Sequence, residues 1–245
     1  MKELYHGRGN LSTAITPYLA MTAGEFQHCE TFPANIAWMA CHFSPYSTGL
    51  SNFPETLPTN AILILNDMIP IHGHDPEYIK NQLAQCLAKH RCAALLLDFQ
   101  RMPNEETGQL IRTLLEGLPC PTVVSDAASG GLSCPVLLSP CPPDRPLAEH
   151  LQPWLGREIW LEIVRETTII TLDHTGSRCH TEPFVLSEEV SHIDKTLHCR
   201  YTVKCTPSQV EFQLWRSRDD LAQLLMDAEA LGVTNAIGLY QQFRN

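Results

Sequence analysis

Two hundred and forty-five residues, 27.5 kDa, can form one large domain or two small ones. A chain of this length buries about 70–75% of its unfolded surface, so its core needs no disulfide or metal staples. Hydrophobic residues at 44% and charged residues at 18% exclude disordered, collagen-like and coiled-coil classes, while 17 Lys and Arg against 27 Asp and Glu (net −10) argue against nucleic acid or an anionic membrane as the main partner.

In chain order, residues 1–30 yield no element by pattern, and Asn35 to Phe43 (NIAWMACHF) reads as a strand. Ala61 to Met68 (AILILNDM) is an apolar run ending in polar residues, the pattern of a strand buried on both faces. Asp75 then caps a predicted helix with Pro76 at its first position and Ile79, Leu83, Cys86 and Leu87 on one face. Ala93 to Phe99 (AALLLDF) predicts another buried strand. Asn104 opens a helix striped by Leu110, Ile111, Leu114 and Leu115, and Gly117 ends it. Shorter strands follow at Pro121 to Asp126 and Pro135 to Ser139, then a weaker helix over Leu147 to Leu155 and a strand over Glu158 to Val164.

From Arg165 to Trp215 the periodicity changes. Thr167 to Asp173 alternates as a half-exposed strand should, and His174-Thr175-Gly176 reads as a turn. Tyr201 to Cys205 and Gln209 to Trp215 flank a hairpin signal, Thr206-Pro207-Ser208. Ser217 caps a strong helix with Leu221, Leu224, Leu225 and Ala228 in register. Gly232 stops it, and Ala236 to Tyr240 forms the last strand.

Alternating strands and helices demand parallel pairing with right-handed crossovers. About seven buried strands in that order predict an α/β fold, a (β/α)8 TIM-type barrel with an irregular or missing first unit. The chain reads as a single domain, 1–245, with an antiparallel α+β insertion over 165–215 before the last helix and strand. An open doubly wound sheet is the alternative, although no glycine-rich phosphate loop follows an early strand.

Ten cysteines without Cys-x-x-Cys or zinc-ribbon spacing, several at apolar periodic positions such as Cys86 and Cys92, read mostly as buried reduced thiols. The start, MKELYHGRGN, lacks the apolar core of a secretory signal, and no apolar run is long enough to span a bilayer. A cytoplasmic protein is expected, with no cofactor, no metal and neither nucleic acid nor membrane as partner; oligomeric state stays open.

Active sites of such barrels lie at the C-terminal ends of the strands. Those ends carry His42, Asn66, Asp67, Asp98, Gln100, Asp126, Ser139, Glu162, Tyr240, Gln241 and Gln242. The most informative segment is LLLDFQR, Leu95 to Arg101. Period-two alternation puts Leu96, Asp98 and Gln100 on one face, pointing into the barrel. An acid there, followed two residues later by an amide, is costly unless it is used or paired.

This segment resembles the strand that carries DxxDxDxE in glycoside hydrolase family 18, the chitinase-like (β/α)8 barrels. The C-terminal half is similar in layout: REIWLEI, the excursion, QVEFQLW, the Ser217 helix and NAIGLYQQF follow that family's order of seventh strand, small insertion, helix and eighth strand. The likeness spans roughly residues 60–245 and looks most like the shorter, peptidoglycan-acting members known from spore-forming bacteria. It implies a carbohydrate or amino-sugar ligand in a cleft at the C-terminal face. It also implies that Asp98 takes the place of the aspartate orienting a substrate acetamido group, and that Gln100 takes the place of the general acid. The two earlier acids of the motif fall on Leu96 and Ala93, and the aromatic ending the last strand corresponds to Tyr240. Gln100 has no proton to deliver, and losing a general acid removes about 10²- to 10⁴-fold of rate.

Three readings follow. In the first, a pseudo-glycosidase binds sugar without cleaving it, with Asp98, Gln100 and Glu162 at the centre and Asn66, Asp67, Asp126, Tyr240 and Gln241 contacting the ligand. In the second, a glycan hydrolase uses relocated carboxylates among Asp67, Asp126 and Glu162, which requires two acids about 5–10 Å apart. The third is a scaffold whose barrel has lost ligand binding.

Other constellations are weaker. His72-Gly73-His74-Asp75 is similar to the His-x-His of metal-dependent amidohydrolase-like barrels. Yet His174, His180, His192 and His198 fall in the insertion, AIGLYQQF has no acid, and Asp75-Pro76 is explained as a helix start. Asp126 to Gly131 matches no phosphate fingerprint and reads as a turn. Trp38, Trp160 and Trp215, on apolar strands, read as core before sugar platform.

Overall fold

The computed structural model describes residues 13–184 and 191–244; the MKELYHGRGN start lies outside them. In chain order the first elements are β1 (Tyr18–Met21), α1 (Ala23–His28), β2 (Ile36–Phe43), β3 (Leu50–Ser51), β4 (Ile62–Asn66), α2 (Pro76–His90) and β5 (Ala94–Asp98). Then come α3 (Glu105–Leu114), β6 (Thr122–Ser125), α4 (Asp126–Ser129), β7 (Val136–Leu138), α5 (Leu147–Leu151) with a 3₁₀ turn at Gln152–Trp154, and β8 (Ile159–Ile163). Strands β9 (Glu166–Asp173), β10 (Gly176–Pro183), β11 (His192–Asp194), β12 (Cys199–Cys205) and β13 (Gln209–Trp215) lead to α6 (Arg218–Ala230), β14 (Val233–Leu239) and α7 (Tyr240–Phe243). The chain forms two compact units, one of 16–139, 156–162 and 235–245, the other of 13–15, 140–155 and 163–234.

In the first unit the ring runs β1-β2-β4-β5-β6-β7-β8-β14 and closes back on β1, a parallel (β/α)8 barrel. β3 is a two-residue antiparallel addition to β2. The first βα unit is therefore present, and of the two expected alternatives, irregular or missing, it is the irregular one. It is short, a four-residue strand and a six-residue helix opened by a Thr22–Glu25 capping box. α1 buries no residue, so it has no apolar stripe to read, and four strand residues are too few to establish a period.

Strand alternation divides the barrel between two cores. Ile62, Ile64, Ala94, Leu96, Val123, Leu137, Trp160 and Ile237 pack inside the ring. Leu63, Leu65, Leu95, Leu97 and Val124 face outward onto Ile79 and Leu83 of α2 and Leu110, Ile111 and Leu114 of α3. The helix starts are those the sequence signals: Asp75 accepts from the Glu77 amide and Asn104 from the Thr107 amide. α2 ends on Arg91 in the left-handed region (φ 51°), so this C-cap carries no glycine. Trp38 and Trp160 are core residues, 6% and 5% exposed.

The second unit holds an antiparallel sheet ordered β10-β9-β13-β12-β11, within the expected insertion. The sequence pattern misses β10 because all eight of its residues are exposed, leaving no alternation. Ser217 and Asp220 form a capping box at the start of α6, and Leu221, Leu224, Leu225 and Ala228 are buried along it. The last strand begins at Val233 and ends at Leu239, so Tyr240 starts a helical turn instead of closing the strand. Cys41, Cys86, Cys92, Cys134, Cys141 and Cys199 are buried free thiols, Cys29 and Cys120 are half-buried, and Cys179 and Cys205 are exposed. Among the described residues no helix is long and apolar enough to cross a membrane.

Candidate functional site

β5 enters the barrel between β4 and β6, paired through Asn66↔Asp98 on one side and Leu97↔Val124 on the other. Two polar side chains pin the chain as it leaves the strand. Asp67, 7% exposed, accepts from the Gln100 amide at Oδ1 (3.1 Å) and from the Arg101 amide at Oδ2 (3.0 Å). From the other side the buried Ser125 hydroxyl donates to the Phe99 carbonyl (2.6 Å) and accepts from the Phe99 amide (3.2 Å). The backbone from Asp98 to Arg101 is thus fixed on both flanks, and alternation carries Gln100 onto the face of Leu96 and Asp98.

Asp98, Gln100 and Glu162 border one cavity of about 80 Å³ near the C-terminal strand ends. Strands β1, β2, β4, β5, β7, β8 and β14 all contribute to its lining, through aliphatic residues that include Ala20, Met39, Ile64, Leu137 and Leu239. Gln100 lies exposed at the opening and Asp98 and Glu162 are half-buried. The Gln100 side-chain amide donates to Asp98 Oδ1 at 2.5 Å. Burial raises the Asp98 carboxyl above the ordinary carboxylate range; the Gln100 hydrogen bond opposes this, and the charges of Asp67 and Asp126 add to it.

The remaining sequence candidates are not among the residues lining that cavity. Asn66 donates to the Met39 carbonyl and accepts from the Met68 amide, bracing the loop after β4. Asp67 is the clamp just described. Asp126 accepts from the Ser139 amide and hydroxyl at Oδ2 and from the Ala127 amide at Oδ1, tying the end of β6 to that of β7. Tyr240 places its hydroxyl 3.6 Å from the Cys29 thiol, and Gln241 is exposed on α7. The His42 ring contacts the Phe43 carbonyl and the Asn52 side chain. Sequence reasoning missed the clamping roles of Asp67 and Ser125. Their signal was a polar residue at or just past the end of an apolar strand.

At about 80 Å³ the cavity is well below the ~300 Å³ lower bound of common ligand pockets and holds two or three waters at ~30 Å³ each. It has room for a small substituent and not for a six-membered ring, and its lining contains no aromatic. Chemically it offers a raised carboxyl, a second carboxyl and an amide above an aliphatic floor. In the His72–Asp75 segment, His74 Nδ1 accepts from the His72 amide, and Glu106 accepts from the Gly73 amide (2.6 Å). No three His, Cys, Asp or Glu side chains among the described residues are grouped to hold a metal ion.

No protein-family model matches the sequence, and no curated protein matches it either. Solved structures do match the fold. The chain is similar to the spore cortex-lytic enzyme SleL of Bacillus cereus, with a TM-score of 0.60 and 9% identity over 94% of this chain and 73% of that one. It is similar to the chitinase from Chromobacterium violaceum (0.59, 9%, 93% and 95%) and to the SleL of Bacillus megaterium (0.53, 8%, 91% and 69%). At such identities the likeness is one of fold. The chain shares the barrel fold of these solved structures, and the similarity reaches further toward the N-terminus than the 60–245 of the sequence resemblance.

Proposed function

We propose that this glycosidase-like barrel is a pseudo-glycosidase that holds an N-acetylamino-sugar at its C-terminal face without cleaving it. The observation that carries the reading is the Asp98–Gln100 pair: just past β5 the Gln100 amide borders the cavity and donates to the Asp98 carboxylate, at the position the sequence resemblance aligns with the family's acid. An amide can orient a ligand but cannot protonate a leaving group. The small cavity supports the amino-sugar class. With the ring seated at the opening, an acetamido group fits below it, its methyl against Ile64, Leu96 and Leu137 and its polar atoms within reach of Asp98, Gln100 and Glu162. Asn66, Asp67 and Asp126 act in this reading by holding the loops that shape the opening. The chain works as one domain, 1–245, with 165–215 inserted, and its ten free thiols favour a reducing, cytoplasmic setting.

A second reading, a glycan hydrolase with relocated acids, is favoured by one observation: Asp98 and Glu162 border the same cavity and Asp98 is raised. One experiment separates the two. N-acetylglucosamine oligomers are titrated into wild type and Gln100→Glu, following both unfolding temperature and release of reducing ends. Wild type is expected to bind without turnover, and Gln100→Glu to gain cleavage of the order of 10²-fold or more over it. Turnover by wild type that is lost in Asp98→Asn and Glu162→Gln would establish the second reading. Absence of binding by either protein would overturn both.

A further inference from the structure

The second unit contains a cavity of about 310 Å³, within the size range of small-molecule sites. One wall is the sheet face that carries Glu166 and Thr168 of β9 and Thr181 of β10, where Thr168 and Thr181 are direct cross-strand partners. Pro140, Pro142, Pro143 and Val164 contribute the apolar part of its lining. Thr168 is 8% exposed, and its hydroxyl has no hydrogen-bond partner among the described residues. The half-buried Glu166 carboxylate also lacks a hydrogen bond or ion pair among them. The carboxylate and the Thr168 hydroxyl stand two residues apart on one face of β9, both lining the cavity and both without a protein partner among the described residues, so a group that enters it can engage them together.

The charge distribution decides what enters. Arg216 lines the cavity, but its guanidinium donates to the carbonyls of Cys141, Pro142, Leu197 and His198, which engages four of its five N–H groups. An incoming anion would find little left to bind. Glu166 is uncommitted, Asp144 adds a second carboxylate at the rim, and the chain as a whole carries −10. We propose that this cavity binds a small organic cation, with an ammonium head on Glu166 and Thr168 and an apolar body against Pro142, Pro143 and Val164. The site is independent of the barrel cavity and of any reading of it.

Calorimetric titration of the full chain with 2-phenylethylamine, which is an ammonium at neutral pH, tests this against two near-isosteres, 2-phenylethanol and 3-phenylpropionate. The amine is expected to bind one per chain, and Glu166→Gln to weaken it tenfold or more at an unchanged unfolding temperature, as loss of a charge-assisted hydrogen bond requires. Thr168→Val should weaken it by a smaller factor. No heat from the amine up to about 10 mM would overturn the proposal. So would tighter binding of the propionate, which would mean that Arg216 governs the site. Equal binding of amine and alcohol with Glu166→Gln silent would reduce the cavity to an apolar hollow.

Discussion

Asp98 sits where burial and its neighbours work against its charge, and only the Gln100 amide supports it. The sign of the resulting stability effect is fixed. A carboxyl whose folded pKa lies above its unfolded value contributes stability that is fully present below the unfolded value and is lost as the pH rises through the folded one. At neutral pH the ionised side chain is therefore a burden on the fold. Asp98→Asn keeps an oxygen to accept from Gln100 while removing the charge. Urea unfolding should show the variant more stable than wild type at about pH 7.5, with the difference shrinking toward zero at about pH 3. A gain equal at both pH values, or larger in acid, would mean that the charge of Asp98 is not what burdens this site. Asp67 belongs to the same account. It holds the Gln100 and Arg101 amides with both oxygens, and its charge helps to raise Asp98.

Elements that bury an apolar face over more than one period were legible in the sequence, and those that are short or exposed were not. β4 and β5 are continuous apolar runs because helices cover one side and the barrel interior the other. α2, α3 and α6 each announce themselves by a capping residue and a stripe. β1, α1 and β10 escaped because they are short or exposed, so tertiary pairing alone makes them visible. The site divides the same way. Alternation along β5 suffices to aim Asp98 and Gln100 at one cavity. The Asp67 clamp joins residues 33 apart on neighbouring strands, and no local pattern carries that. Local signals should then have local energetic consequences. The Ser217 hydroxyl accepts from the Asp220 amide, and the Asp220 carboxylate accepts from the Ser217 amide and hydroxyl. Ser217→Ala leaves the N-terminus of α6 with an unmet donor and should cost about 1 kcal/mol in chemical denaturation, within the ~0.5–2 kcal/mol span of such caps. A silent substitution would show that α6 is held by its buried leucines alone.

At the scale of the whole molecule, barrel closure and thiol burial rest on one condition, that apolar surface is removed from water on both sides of the strands. The ring closes only because Leu19 and Ala20 of β1 pair with both β2 and β14. Closure leaves no parallel edge for another chain to extend. The cysteines report how the chain is buried elsewhere. Burial pushes the thiols of Cys86 and Cys199 up to about 11 and that of Cys92 up to about 12, while Cys41, wholly buried, is raised further still. Thiolate is the reactive form, so these residues are protected twice, by access and by protonation. Cys179 and Cys205 are exposed and carry neither protection. Brief alkylation of the native protein with iodoacetamide at neutral pH, read by peptide mass spectrometry, should therefore modify Cys179 and Cys205 first. Cys29 and Cys120 should follow slowly, and Cys41, Cys86, Cys92 and Cys199 only after denaturant is added. Early modification of Cys41 or Cys92, which lie in the layer between strands and helices, would mean that the helical shell opens without global unfolding. In that case the cavity inside the ring could not be treated as a fixed site.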